Sequence, residues 1–165
     1  MAVSLFTDGN RHYWRAYRKW DGKVQGQLYF PLHPDPHKAM EEAIDADMKL
    51  AERQRAFYLA QMYRADYWMK ENGKIRGLSL GLDGHGRPQW RLQISLPWTD
   101  KQARASRSIL ASSPLDAFQS TIKGMGDLVG FDSWSELAKA LKQCYPDYAE
   151  DLENVMTQTD FATSA

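Results

Sequence analysis

Cysteine occurs once in this chain, at Cys144. A lone thiol excludes an internal disulfide framework and a zinc site built on several cysteines, and it suits a reducing, cytoplasmic compartment. Long apolar runs are missing as well: no stretch approaches the about 18 apolar residues that a membrane-spanning helix needs. The opening residues MAVSLFTDGN have neither a basic start nor an apolar centre, so no secretory signal is expected. Net charge is absent too, because 21 basic residues balance 21 acidic ones. Bulk charge therefore names no partner, and a nucleic-acid surface requires segregation of charge along the chain.

The usual catalytic signatures are also lacking. The paired glycines of GHGRP and GMGDLVG do not follow a strand in the phosphate-cradling arrangement. There is no HExxH and no Ser-His-Asp set. In HPDPH, residues His33, Asp35 and His37 have a spacing that suits a metal, but the prolines and a capping role for Asp35 account for the stretch. Cys144 lies in a helical stretch, where a buried small hydrophobe is the expected role. Neither catalysis nor a metal or other cofactor is expected.

What the chain does contain is apolar and aromatic material, and a repeat. Hydrophobic residues make up 43%, with six Trp, eight Tyr and six Phe, enough to build a core and to exclude disorder. Ser4-Leu5 and Asp8-Gly9 return as Ser79-Leu80 and Asp83-Gly84. Trp14-Arg15 returns as Trp90-Arg91, and Pro36 and Ala39 return as Pro114 and Ala117. The order is kept and the spacing drifts only slightly, as after a duplication with small loop insertions.

Each copy reads as three strands and a helix. A short strand (3–7 or 78–82) runs into an Asp-Gly hairpin signal. A second strand follows, HYWRAYRKW or QWRLQISLPW. In the second copy Trp90, Leu92, Ile94 and Leu96 alternate with Arg91, Gln93 and Ser95. In the first, Trp14 and Ala16 oppose Arg15, Tyr17 and Lys19, and Arg18 breaks the pattern. QLYFPL supplies the third strand of the first copy. Its counterpart, around 104–110, is polar and ambiguous in register. Asp35-Pro36 and Ser113-Pro114 then start helices. Their apolar stripes are Ala39, Met40, Ala43, Ile44 and Met48, and Ala117, Phe118, Ile122 and Met125. Residues 51–70 have no breaker and either continue the first helix or turn back from it. Ser133, with Glu136 at capping-box spacing, is the expected start of a later helix, and the stretch after Thr157 is expected to be loose. The implied fold is α+β with an internal duplication: two units, 1–74 and 75–165, each a three-stranded antiparallel sheet packed by a helix, with further helices after each.

A helix covers one face of such a sheet and leaves the other bare. Arg11 to Lys23 holds five basic residues and one acidic, and so does Arg87 to Arg107. Asp147 to Asp160 holds five acidic residues and no basic one. Basic sheets and acidic helices thus hide behind the zero total. The candidate nucleic-acid-binding residues are Arg11, Arg15, Tyr17, Lys19, Arg87, Arg91 and Gln93. Arginine neutralises phosphate and bonds guanine edges, glutamine bonds adenine, and tyrosine stacks or contacts backbone. Basic residues on exposed strands also serve simply to block edge-to-edge aggregation.

The order seen in YWRAYRKWDGK…QLYF…DPHKAMEEAIDAD, namely aromatic strand, Gly turn, hydrophobic strand and Ala-rich acidic helix, resembles the AP2 DNA-binding domain and the arm-type DNA-binding domains of phage integrases. The resemblance covers roughly fifty residues of each copy. It implies DNA contacts from the exposed sheet face at Arg15 and Tyr17, and at Arg91 and Gln93. The chain departs from that pattern in its first strand, which lacks the family's run of Arg, and in the polar third strand of the second copy. The reading is a non-enzymatic protein that binds double-stranded DNA through two small sheets, a regulator or mobile-element protein. The alternative is a phage- or prophage-type interaction module, an inhibitor or adaptor, with a protein partner.

Overall fold

The structure, a computed structural model, describes residues 2–99 and 101–163. Two three-stranded antiparallel sheets and their helices follow one another along the chain, giving an α+β fold of two similar units. The compact units span Met1–Tyr58 and Leu59–Ala165.

In the first unit, β1 (Val3–Asp8), β2 (Arg11–Trp20) and β3 (Lys23–Pro31) lie in that order. Asp21 and Gly22 connect β2 to β3 with φ of 54° and 68°. Two consecutive positive φ values match the right-handed twist of the flanking strands, and Asp-Gly is suited to them. Register slips between Arg18 and Lys19, where β3 carries one extra residue, Gln25. Helix α1 (Pro36–Met62) starts where Asp35 Oδ1 accepts the Lys38 N–H at 3.1 Å. Nothing breaks it until Met62, so residues 51–62 continue the first helix.

The face that α1 buries differs from the expected stripe. Ala39, Ala43, Ala46, Asp47 and Leu50 are buried, whereas Met40 and Met48 are exposed. The cause is Arg18. It lies on the covered face of β2 with Ala16 and Trp20, which restores the alternation it seemed to break. Its Nε and Nη2 donate to Asp47 Oδ1 and Oδ2 at 2.7 and 3.0 Å, and Nη1 donates to Gln54 Oε1 at 2.9 Å. With Asp47 turned toward the sheet, Met48, the next residue round the helix, points away from it. The contact is close, since a Cβ at Gly26 would run into the Leu50 side chain.

The second unit repeats the sheet as β4 (Leu78–Leu82), β5 (Pro88–Ser95) and β6 (Gln102–Ser108). It adds α2 (Ala65–Trp68), α3 (Pro114–Val129), α4 (Glu136–Lys142), a 3₁₀ turn (Tyr145–Tyr148) and α5 (Ala149–Thr163). Ser113 caps α3, accepting the Asp116 N–H at 3.1 Å. The cap of α4 is Ser135, which accepts the Ala138 N–H at 3.1 Å, and not Ser133. α5 carries the chain helically past Thr157.

The second core centres on Trp90, which is fully buried. Its ring meets Phe118 and Tyr148 edge-on at 5.0 and 5.1 Å, and its Nε1 donates to the Pro114 carbonyl at 3.0 Å. Residues 59–75 contribute Met62, Trp68 and Ile75 to this core. Tyr148 ties them in. Its hydroxyl accepts the Ile75 N–H at 2.8 Å and lies 3.2 Å from the Leu78 carbonyl, to which it donates. Cys144 is buried in the same core, and burial pushes its thiol pKa up, so it stays a neutral hydrophobe.

These buried polar contacts set the stability of each unit. Arg18→Ala leaves a buried carboxylate unpaired and is expected to cost about 3 kcal/mol in urea unfolding, whereas Arg18→Leu with Asp47→Leu regains most of it. Burial opposes ionisation of Asp47, but the hydrogen bond and charge of Arg18 together outweigh it, so the carboxyl titrates below its ordinary 3.8. The stability this gives is complete above that value and is lost as pH falls through the lower folded value, so Asp47→Asn should flatten the acid limb of the stability–pH curve. Tyr148→Phe leaves the Ile75 N–H unsatisfied and is expected to lower stability by about 1–3 kcal/mol in the same assay.

Candidate nucleic-acid interface

Strand alternation and register decide which side chains share the uncovered face of each sheet. On the second sheet these are Ser79 and Gly81 from β4, Gln89, Arg91, Gln93 and Ser95 from β5, and Gln102, Arg104, Ser106 and Ser108 from β6. Among the described residues this face holds no carboxylate and no large apolar side chain. A shallow open trough of about 510 Å³ runs along it, lined by Arg91, Gln93, Arg104 and Ser106 among others. Gln93 Nε2 donates to Gln102 Oε1 at 2.5 Å, and Arg104 Nη2 donates to the same oxygen at 3.4 Å. The Arg91 guanidinium lies over Gly81, where a Cβ would stand 3.1 Å from its Cζ. A glycine in the neighbouring strand thus gives the guanidinium room to lie down. The surface offers fixed donors to an anion or a base edge.

The other basic residues of this copy do different work. Arg87 stands outside β5, in the turn. Asp83 Oδ1 accepts the His85 and Arg87 N–H groups at 2.8 and 2.9 Å, and Oδ2 accepts Arg87 Nε at 2.9 Å. The backbone bond from Arg87 leads in holding the Asp83 carboxyl below the ordinary range, against slight desolvation and with help from His85 and the Arg87 side chain. Asp83 and Arg87 clamp the hairpin loop. Arg107 faces the helix side, where Nε donates to Ser120 Oγ at 3.1 Å. Asp100, the acidic residue of this stretch, is outside the described residues.

The first sheet presents another surface. Its uncovered face carries Ser4, Phe6 and Asp8 from β1, Arg11, Tyr13, Arg15, Tyr17 and Lys19 from β2, and Gln27, Tyr29 and Pro31 from β3. Ring centroids of Phe6, Tyr13 and Tyr29 lie 5.0–6.5 Å apart. Arg15 is half-buried among them. Its guanidinium sits 5.4 Å from the Phe6 centroid and 5.3 Å from that of Tyr17, and Nη2 donates to Ser4 Oγ at 3.3 Å. Its Nε is buried without a hydrogen-bond partner. Arg15 is held by rings, while Lys19 and Arg11 are exposed at the two ends of β2. Arg11 also borders a pocket with His12, Tyr13, Pro31, Leu32 and His33.

Of the residues picked from sequence, Arg91 and Gln93 come together on one face, and Arg11, Arg15, Tyr17 and Lys19 on another. Arg87 joins neither. Arg104, Gln102 and Ser106 belong with Arg91 but were missed, because β6 has no apolar alternation to reveal its register. The signal available was the absence of Asp and Glu from 101–113. In HPDPH, Asp35 caps α1 and His37 Nδ1 sits 3.5 Å from Glu41 Oε1 at the surface. Among the described residues no group of three or more His, Cys, Asp or Glu is placed to hold a metal. Among the described residues no helix is long and apolar enough to cross a membrane.

Compared with protein-family models, with curated proteins and with solved structures, the chain matches none.

The seating of Arg91 over Gly81 is directly testable. Gly81→Val suits a strand and meets only the end of a flexible side chain, so the unfolding midpoint should stay within about 0.5 kcal/mol of the parent. The Arg91 Nε–Hε resonance should nonetheless shift as the guanidinium is displaced; an unmoved resonance would contradict this placement.

Proposed function

We propose that this chain is a non-enzymatic DNA-binding protein of the regulator or mobile-element kind, acting in the cytoplasm through the exposed faces of its two small sheets. The observation that carries the reading is the uncovered face of the second sheet. There Arg91 and Arg104 stand among glutamines and serines with no carboxylate among the described residues. Guanidinium groups neutralise phosphates and release counterions, and Gln93 and Arg91 suit base edges. A two- or three-stranded ribbon fits a major groove. The order of strands, turn and helix read from the sequence, which resembles AP2-type and integrase arm-type domains, supports the same reading.

A protein partner is the second reading. Trp134, 80% exposed in the loop before α4, is the kind of aromatic anchor that protein interfaces use.

The test is binding to labelled duplex DNA at low salt, followed by a salt titration. Log affinity should fall linearly with log salt, and Arg91→Ala and Arg104→Ala should each weaken binding and lower the slope by about 1. Arg87→Ala, which removes only a turn clamp, should leave the slope unchanged. Duplex binding that is absent at low salt, or insensitive to Arg91 and Arg104, overturns the assignment of this face.

A further inference from the structure

We infer that the exposed face of the first sheet is a stacking platform for unpaired bases, so that the DNA this chain prefers is single-stranded. The inference rests on the nucleic-acid reading above and specifies the strand state of the ligand.

The two units share a backbone plan but differ in what their uncovered faces carry. In the second unit the large rings lie inside, with Trp90 and Phe118 fully buried, and the outer face is small and polar. In the first unit the covered side sets Trp20 and Leu50 beside small groups, Ala16, Gly26, Ala39, Ala43 and Ala46, around the Arg18–Asp47 pair. Four further rings stand on its uncovered face: Phe6, Tyr13, Tyr17 and Tyr29, contributed by all three strands. The fold does not require this, since the second unit does without it. Tyr29 is 40% exposed and the other three rings are half-buried, although α1 packs on the opposite side of the sheet.

The surroundings match a nucleic-acid strand. Arg15 lies within the ring cluster, with Arg11 at one end of β2 and Lys19 at the other. Among the described residues the acidic group on this face is Asp8, directly across from Arg11 at the hairpin end. An apolar, aromatic centre with cations around it holds bases in the middle and phosphates at the margin. Rings stack on base faces, and in a closed duplex those faces are occupied by neighbouring bases. Ring faces offer no donor–acceptor pattern for reading base-pair edges, whereas the polar second sheet carries amide and guanidinium groups that do.

The experiment uses the full chain and two dye-labelled probes at low salt: an oligothymidine and a duplex of the same length. Fluorescence anisotropy should show the oligothymidine binding at least about tenfold more tightly, and Tyr29→Leu weakening it by about tenfold. Tyr29→Phe should retain the parent affinity, and duplex binding should be the same in all three proteins. In the unaltered protein, photo-crosslinking of a bromodeoxyuridine oligomer should label the peptides carrying Phe6, Tyr13 or Tyr29. Equal binding of both probes, or crosslinks confined to β5 and β6, overturns the platform. If Arg91→Ala still weakens duplex binding in that case, the DNA-binding reading survives without it. Binding to neither probe overturns both.

Discussion

A three-stranded sheet has two faces, and a single layer of helices covers one of them. Strand alternation then sorts every second residue toward the helices or toward water, and nearly every assignment in this chain depends on that sorting. The second unit obeys it in the simplest way. β5 puts Trp90, Leu92 and Ile94 beneath the helices and Arg91 and Gln93 outside. The first unit obeys it with unusual partners, a guanidinium and a carboxylate on the covered side. An arginine in the middle of a strand's covered face must be answered from the helix, and Asp47 and Gln54 answer it. The helix is thereby set in rotation about its axis, and the exposure of Met48 follows.

The two buried arrangements differ in what they demand. The core of the second unit is apolar, with a few polar atoms that are each satisfied: Trp90 Nε1 by Pro114, Trp68 Nε1 by Met62, and the Tyr148 hydroxyl by the backbone of residues 75 and 78. Removing water from such groups is tolerable because a partner waits for each. The first unit relies on an ion pair and on alanines that let helix and sheet approach closely. It buries fewer large side chains, and Leu5, on the covered-side register of β1, remains 62% exposed.

Much of the fold was legible because the repeat is marked by residues with local physical jobs. Asp-Gly at the hairpins, Trp at the centre of the second strand, and Asp-Pro or Ser-Pro at the helix starts each report their own conformation. The Arg18 anomaly was visible, but its solution lies 29 residues away at Asp47, and no periodicity connects them. Ser133 and Ser135 both offer a hydroxyl to a helix start; only the backbone decides that Ser135 is the cap. Arg87 counts as a binding cation as long as Asp83 is only a turn former, whereas the turn uses both oxygens of that carboxylate to hold Arg87. The polarity of β6 concealed Arg104, since register without apolar alternation is set by pairing with β5 alone. What the two outer faces bind is not written in such local signals; it emerges only when three strands are laid side by side.

The Tyr148 latch also sets an order of events during synthesis. The pairings that close the first sheet, and the Arg18–Asp47 bond, lie within the first 58 residues. The Ile75 and Leu78 backbone groups, in contrast, wait for a hydroxyl that emerges far later in the chain. At bacterial-like elongation rates of roughly 5–20 residues per second, the interval between the two is several seconds. For that time the ribosome displays an early sheet that has all its partners beside a second that is still missing its keystone, so the aromatic face is presented before the second unit can close.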